Sequence, residues 1–163
     1  MALNTTYSLN PDQAVAGMVA DSRVGFTTVT RIMSADIAAG LLVTKDAAAG
    51  KAKLPGAVTD YIIGATRWSP TMVQDEAGNT QYKAARAAPV FTEGPIWLYA
   101  AEAIGEFDQV YATISGAGKI GWVKKTAGVD TTSKPIGRAE SVTTASGQLV
   151  LVYLRPAMQT VVA

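Results

Sequence analysis

The side chains of this 163-residue sequence that can do chemistry are 13 acidic and 14 basic residues, three Trp and six Tyr, with no histidine and no cysteine. Without imidazole or thiol, Ser-His-Asp and Cys-His nucleophilic sites cannot be built. Disulfides, thiolate redox chemistry and zinc sites with His or Cys ligands are excluded with them. An all-carboxylate metal site would need clustered acids, and Asp75-Glu76 is the only adjacent acidic pair. It lies in Asp75-Glu76-Ala77-Gly78-Asn79, a solvated turn that lacks the alternating oxygen ligands of a calcium loop. Two carboxylates at a fixed separation suffice for glycoside hydrolysis, but no spacing among the acids pairs them. Gly50-Lys51-Ala52 and Gly118-Lys119-Ile120 have the Gly-Lys of a phosphate loop without the Ser or Thr that should follow. Lys45 and Thr113 occupy the place of its upstream glycine. Trp68, Trp97 and Trp122 would make a glycan or base platform only if exposed together; otherwise they fill a core or an interface. The expectation is a protein that is not an enzyme, with no cofactor and no metal.

Composition sets the partners. Hydrophobic residues make up 48% and charged residues 17% of the chain, and the formal charge is +1. Such a balance gives no long-range attraction to nucleic acid or to an anionic membrane. So few charges suit a protein that keeps part of its surface against other proteins. No apolar run approaches the roughly 20 residues of a membrane helix. Met1-Ala2-Leu3-Asn4 lacks the basic and apolar regions of a secretory signal, so synthesis in the cytoplasm is expected.

The elements are short and β-rich. Residues 26–33, 41–44, 61–66, 96–100, 107–114 and 149–154 are rich in Val, Ile, Thr and aromatics, and Gly-containing turns separate them. In Ile96-Trp97-Leu98-Tyr99-Ala100 both alternating sets are bulky, which predicts a strand covered on both faces. Leu149-Val150-Leu151-Val152-Tyr153-Leu154 reads as a central strand, and Trp97, Tyr99, Phe107 and Tyr111 read as a packed centre. No long stretch has helical period. The predicted fold is all-β, a compact barrel or sandwich of short antiparallel strands with an extended N-terminal arm.

The plan of residues 29–44 returns at 96–112. Gly50-Lys51-Ala52-Lys53-Leu54 then matches Gly118-Lys119-Ile120-Gly121-Trp122, and Ile63-Gly64-Ala65 matches Ile136-Gly137-Arg138. Two related β-units at 29–67 and 96–140 are the expectation. The predicted division is an arm at 1–25, a β domain at 26–156 with an insert at 69–88, and a tail at 157–163. Within the arm, 12–16 also reads as a short Ala-rich helix.

These residues resemble, in their order, the structural cement (head decoration) proteins of tailed bacteriophages. The likeness runs through Tyr7, Pro11, Ala16-Gly17-Met18-Val19-Ala20-Asp21, Gly40-Leu41-Leu42-Val43, Lys53-Leu54-Pro55 and Ile63-Gly64-Ala65. It continues through Gly94-Pro95-Ile96-Trp97, Phe107-Asp108-Gln109-Val110-Tyr111 and Gly118-Lys119-Ile120, closing on Leu149-Val150-Leu151-Val152-Tyr153-Leu154. The resemblance implies a non-enzymatic virion component on the outer surface of the capsid. Its implied partners are the major capsid protein and two further copies of itself in a homotrimer, with no direct contact to nucleic acid or membrane. Tyr7, Pro11, Gly17, Met18 and Asp21 become candidate capsid or subunit contacts, and the arm is expected to be dispensable for folding. The alternatives are a head–tail or tail component and a carbohydrate-binding β module on the virion surface.

Overall fold

The computed structural model describes residues 14–20, 27–70, 72–74 and 80–155. Its strands are β1 (Thr27–Met33), β2 (Ile37–Ala38), β3 (Leu42–Lys45), β4 (Lys51–Lys53), β5 (Ile62–Thr66) and β6 (Val73–Gln74). They continue as β7 (Thr80–Tyr82), β8 (Ala87–Tyr99), β9 (Gln109–Ala112), β10 (Val123–Lys124), β11 (Gly137–Ala139) and β12 (Leu149–Leu154). Nine strands form one sheet in the order β1-β4-β3-β5-β8-β12-β11-β9-β10. A further β1–β8 pairing closes β1, β4, β3, β5 and β8 into a five-stranded barrel. The expected all-β fold is therefore the observed one.

β8 is the 13-residue strand common to both parts of the sheet. Its first half pairs with β1 and β5, and its second half pairs with β12 from Gly94↔Leu154 to Tyr99↔Leu149. Gly94, at φ 118, sits where one set of partners gives way to the other. Ile96 and Leu98 are fully buried while Trp97 and Tyr99 are half-buried, so this strand is covered on both faces. β12 lies between β8 and β11 and is central, as its apolar run predicts.

The halves on either side of Gly94 follow one pairing scheme. Met33 pairs in parallel with Ala52, and Ala100 bridges in parallel to Val123. Ser34 N–H donates to Ala52 C=O (2.9 Å) as Ala101 N–H donates to Val123 C=O (2.8 Å). Gly40 N–H donates to Thr66 C=O (2.8 Å) as Phe107 N–H does to Ala139 C=O (2.9 Å). Ala85 N–H donates to Met33 C=O as Gly147 N–H does to Ala100 C=O, both at 2.8 Å. This register sets Gly50 opposite Gly121, not Gly118 as the sequence match has it. Common glycines and lysines in short loops allow that three-residue slip; hydrogen bonds do not.

The scheme also explains two residues with left-handed backbone. Ala85 (φ 60) stands where the other half has Gly147 (φ 89), and Phe107 (φ 67) where it has Gly40 (φ 73). Phe107 is 59% exposed, so it is not part of the packed centre that its aromatic ring suggests. A positive φ in the turn before β9 turns the side chain outward.

Two clusters fill the interior. One lies inside the first barrel and comprises Met33, Ile37, Val43, Ala52, Tyr82, Ala88 and Val90. The other fills the second half with residues such as Ile96, Leu98, Val110, Ile136 and Val152, and takes in Leu42, Ile62, Ala65 and Phe91 from the outer face of the first barrel. The insert is integrated rather than free. β2, β7 and β6 form a three-stranded antiparallel sheet, and Tyr82 of β7 reaches the core and donates its phenol hydrogen to Arg67 C=O (2.6 Å). Asp36 ties down the same insert, accepting from Ala84 N–H (2.8 Å) and Lys83 Nζ (3.0 Å). Those donors, the Ala84 amide foremost, hold its carboxyl below the usual carboxylate range.

Two expectations follow. A Cβ on Gly64 would lie 2.3 Å from Phe91 O, and one on Gly137 would lie 2.3 Å from Tyr153 O. Gly64→Ala and Gly137→Ala should each cost about 1–3 kcal/mol in urea unfolding, as overpacking does. Burial pushes the Tyr82 phenol from 10.0 to about 12. The folded state prefers the neutral phenol, so this contribution is complete below pH 10 and is lost as pH rises toward 12. Alkaline unfolding curves should show that loss, and Tyr82→Phe should flatten it while removing a hydrogen bond worth about 1 kcal/mol.

Candidate functional site

Among the candidate contacts, Gly17 and Met18 fall in the described residues; Tyr7, Pro11 and Asp21 lie outside them. Residues Val15 to Met18 make a tight turn, with Met18 N–H donating to Val15 C=O (3.0 Å). Gly17 is its third residue at φ 80, a geometry that type II turns reserve for glycine. The described part of 12–16 is thus a turn entry, not a helix, because Gly17 supplies a reversal where a helix would need to continue.

The turn is fastened to the β body. Gly17 N–H donates to Trp97 C=O (2.7 Å), Trp97 N–H donates to Met18 C=O (3.0 Å), and Ala20 N–H donates to Pro95 C=O (3.1 Å). Trp68 N–H donates to Gly17 C=O (2.8 Å), and Val19 forms an antiparallel bridge to Ile96. Any Cβ on Gly17 would come within 2.7 Å of Gly40 N, Thr66 O and Trp68 N. Deleting residues 1–20 would therefore strip bonds from β8, whereas a cut after residue 13 would spare them. Around this turn Val15 is 45%, Met18 44% and Trp68 41% exposed. Backbone bonding fixes the turn and leaves these three apolar side chains facing water.

A second feature lies on the far half. Gln109, Pro135, Gly137, Arg138, Tyr153 and Arg155 line an open groove of about 450 Å³. The Arg138 guanidinium stands 5.1 Å over the Phe107 ring and donates through Nε (3.0 Å) and Nη2 (2.7 Å) to Glu140 Oε1. Sequence reasoning missed this groove. Its signal was available: Gln109 and Arg138 occupy, in the shared pairing scheme, the places of Leu42 and Ala65.

The remaining polar groups serve the fold. Asp130 takes a hydrogen bond from Lys124 Nζ (2.7 Å), which lowers the aspartate and raises the lysine pKa. Glu102 accepts from the N–H groups of Lys125 and Thr126, and Asp108 from that of Gly105. No cluster of three or more potential metal ligands occurs among the described residues. Of the three tryptophans Trp68 is exposed, while Trp97 and Trp122 are half-buried and Trp122 stacks on Tyr99 at 5.1 Å. The arrangement offers apolar and cationic contact surfaces rather than a reaction centre.

Residues 3–155 match the model of a family described as structural cement protein (E217 gp24/Pam3 gp6). The chain belongs to the phage structural cement protein family. The protein is a non-enzymatic structural component of the virion, located at the capsid surface. The fold of this cement protein is similar to that of a chain in a structure described as "The capsid of Myoviridae Phage XM1", with TM-score 0.73, 19% identity and 95% of this chain and 98% of that chain covered. A chain from "The crystal structure of head fiber gp8.5 N base in bacteriophage phi29" matches with TM-score 0.47 and 14% identity over 81% of this chain and 96% of that one. No curated protein matches.

The fastening of the turn makes a local expectation. In the cement protein with Gly17→Ala, the turn should lift from β8, because the Cβ meets backbone atoms on three sides. Hydrogen exchange at the Trp97 amide should then accelerate at least 10-fold while the Val150 amide of β12 keeps its wild-type rate.

Proposed function

We propose that this cement protein binds the major capsid protein on the outer face of the head, as a homotrimer that bridges neighbouring capsid subunits. The observation that carries this reading is the apolar trio Val15, Met18 and Trp68, held in water by a turn that backbone bonds and Gly17 make rigid. A preorganised apolar knob loses little conformational freedom on docking. Complete burial of a side chain such as Met18 is worth about 1.5–3 kcal/mol. Tyr7, Pro11, Gly17, Met18 and Asp21 remain the candidate capsid or subunit contacts that the family resemblance names, with Gly17 acting through the shape of the turn. A trimer, the assembly that the family resemblance implies, would multiply modest contacts by roughly 10²–10⁴ through effective concentration. Cementing then needs no strong single site, which agrees with a chain of 17% charged residues.

The test uses purified protein added to heads that lack it, with mass in solution measured separately. Wild-type protein should run as a trimer and occupy lattice positions spanning capsid subunits in electron micrographs. Met18→Asp and Trp68→Asp should keep the thermal midpoint and reduce occupancy at least 10-fold. A monomer in solution refutes the trimer, and equal occupancy by both variants refutes the knob. A ring of six or twelve copies at one vertex would assign the protein to the head–tail junction instead.

A further inference from the structure

We propose that the groove between Arg138 and Arg155 is a second docking site, one that receives an acidic segment of a neighbouring capsid subunit. This rests on the capsid-binding reading above and adds a surface to it. The shared pairing scheme supplies the main argument. Leu42, Ile62, Ala65 and Phe91 lie on the outer face of the first barrel and are fully buried beneath the second half of the chain. Gln109, Pro135, Arg138 and Tyr153 hold the corresponding positions in the second half, counted from Gly64 and Gly137 in the strand register. A face that seats a whole β-unit in one half therefore stands open in the other, as a groove of about 450 Å³.

The substitutions state what the groove accepts. Arg138 and Arg155 line the groove and no carboxylate among the described residues does; Glu140, beside Arg138 on β11, takes both of its bonds from Arg138 on one oxygen. Arg155 has no side-chain ion pair among the described residues. Guanidinium groups bind carboxylates in forked, two-bond geometry, so an incoming Asp or Glu is the matching group. Tyr153 lines the groove, and Phe107, 5.1 Å beneath the Arg138 guanidinium, adds exposed aromatic surface beside it for the rest of the segment. Phe107 adds an independent sign. It keeps a left-handed backbone at φ 67 that its counterpart reserves for Gly40, and it returns no core packing, being 59% exposed. A residue that is strained and outward-facing marks a contact rather than a stability feature. A polar cap ending a stack of units would need neither the concavity nor that phenylalanine.

Binding to heads lacking the protein tests the groove with Arg155→Glu, Arg155→Lys and Phe107→Gly. Arg155→Glu should lower occupancy at least 10-fold with an unchanged thermal midpoint, and Arg155→Lys should fall between it and wild type. Phe107→Gly should raise or preserve the midpoint while weakening binding. A poly-glutamate peptide should displace wild type from heads and have no effect on residual binding by Arg155→Glu. Wild-type occupancy by Arg155→Glu and Phe107→Gly overturns the groove alone, and displacement by duplex DNA but not by poly-glutamate does the same. Failure of wild-type protein to bind any head overturns both docking surfaces together.

Discussion

Strand β8 carries hydrogen bonds for both halves of the molecule, and almost every other feature depends on that double duty. From Ala87 to Glu93 it closes the first barrel against β1 and β5; from Gly94 to Tyr99 it seeds the second half through β12 and holds the N-terminal turn on its other edge. A strand paired along both edges must present suitable side chains to two interiors, which accounts for its two apolar runs on either side of Thr92-Glu93-Gly94. It also leaves no linker between the halves. The outer face of the first barrel is buried by the second because one continuous backbone presses them together.

Much of this was legible in the sequence where period and composition spoke together. Ile96, Leu98 and Ala100 alternate with Trp97 and Tyr99, and the structure buries the first set completely while half-covering the second. The central place of Leu149-Val150-Leu151-Val152 follows from a run too apolar for an edge. The all-β class followed from the frequency of glycine turns. Other features depended on register, which short matches do not encode. Gly118 and Gly121 both precede β10, and hydrogen bonding alone selects Gly121 as the partner of Gly50. Phe107 was misread because an aromatic next to a strand is usually inside, whereas a positive φ sends this one out.

The candidate contacts were less accessible to sequence reasoning. Gly17 and Met18 stood out in the arm, but their roles differ: one shapes a turn, the other faces water. Trp68 joins Val15 and Met18 only because the turn packs beside the end of β5, a proximity across some 50 residues that no local pattern contains. The absence of histidine and cysteine was informative about function class, and the structure shows where several carboxylates went instead. Asp36, Glu102 and Asp108 satisfy backbone N–H groups at loop ends, so their charge is committed to holding turns.

The shared strand has a mechanical consequence. Pulling the two halves apart along β8 loads its flanking hydrogen bonds in shear, many at once, rather than peeling them one by one. With about 3.3 Å per residue, the strand sets a rigid span of roughly 40 Å from end to end. A body of that kind behaves as a strut. Its N-terminal turn and the groove on its second half are joined through directly paired strands, so a load applied at one is met at the other by stiffness and not by a hinge.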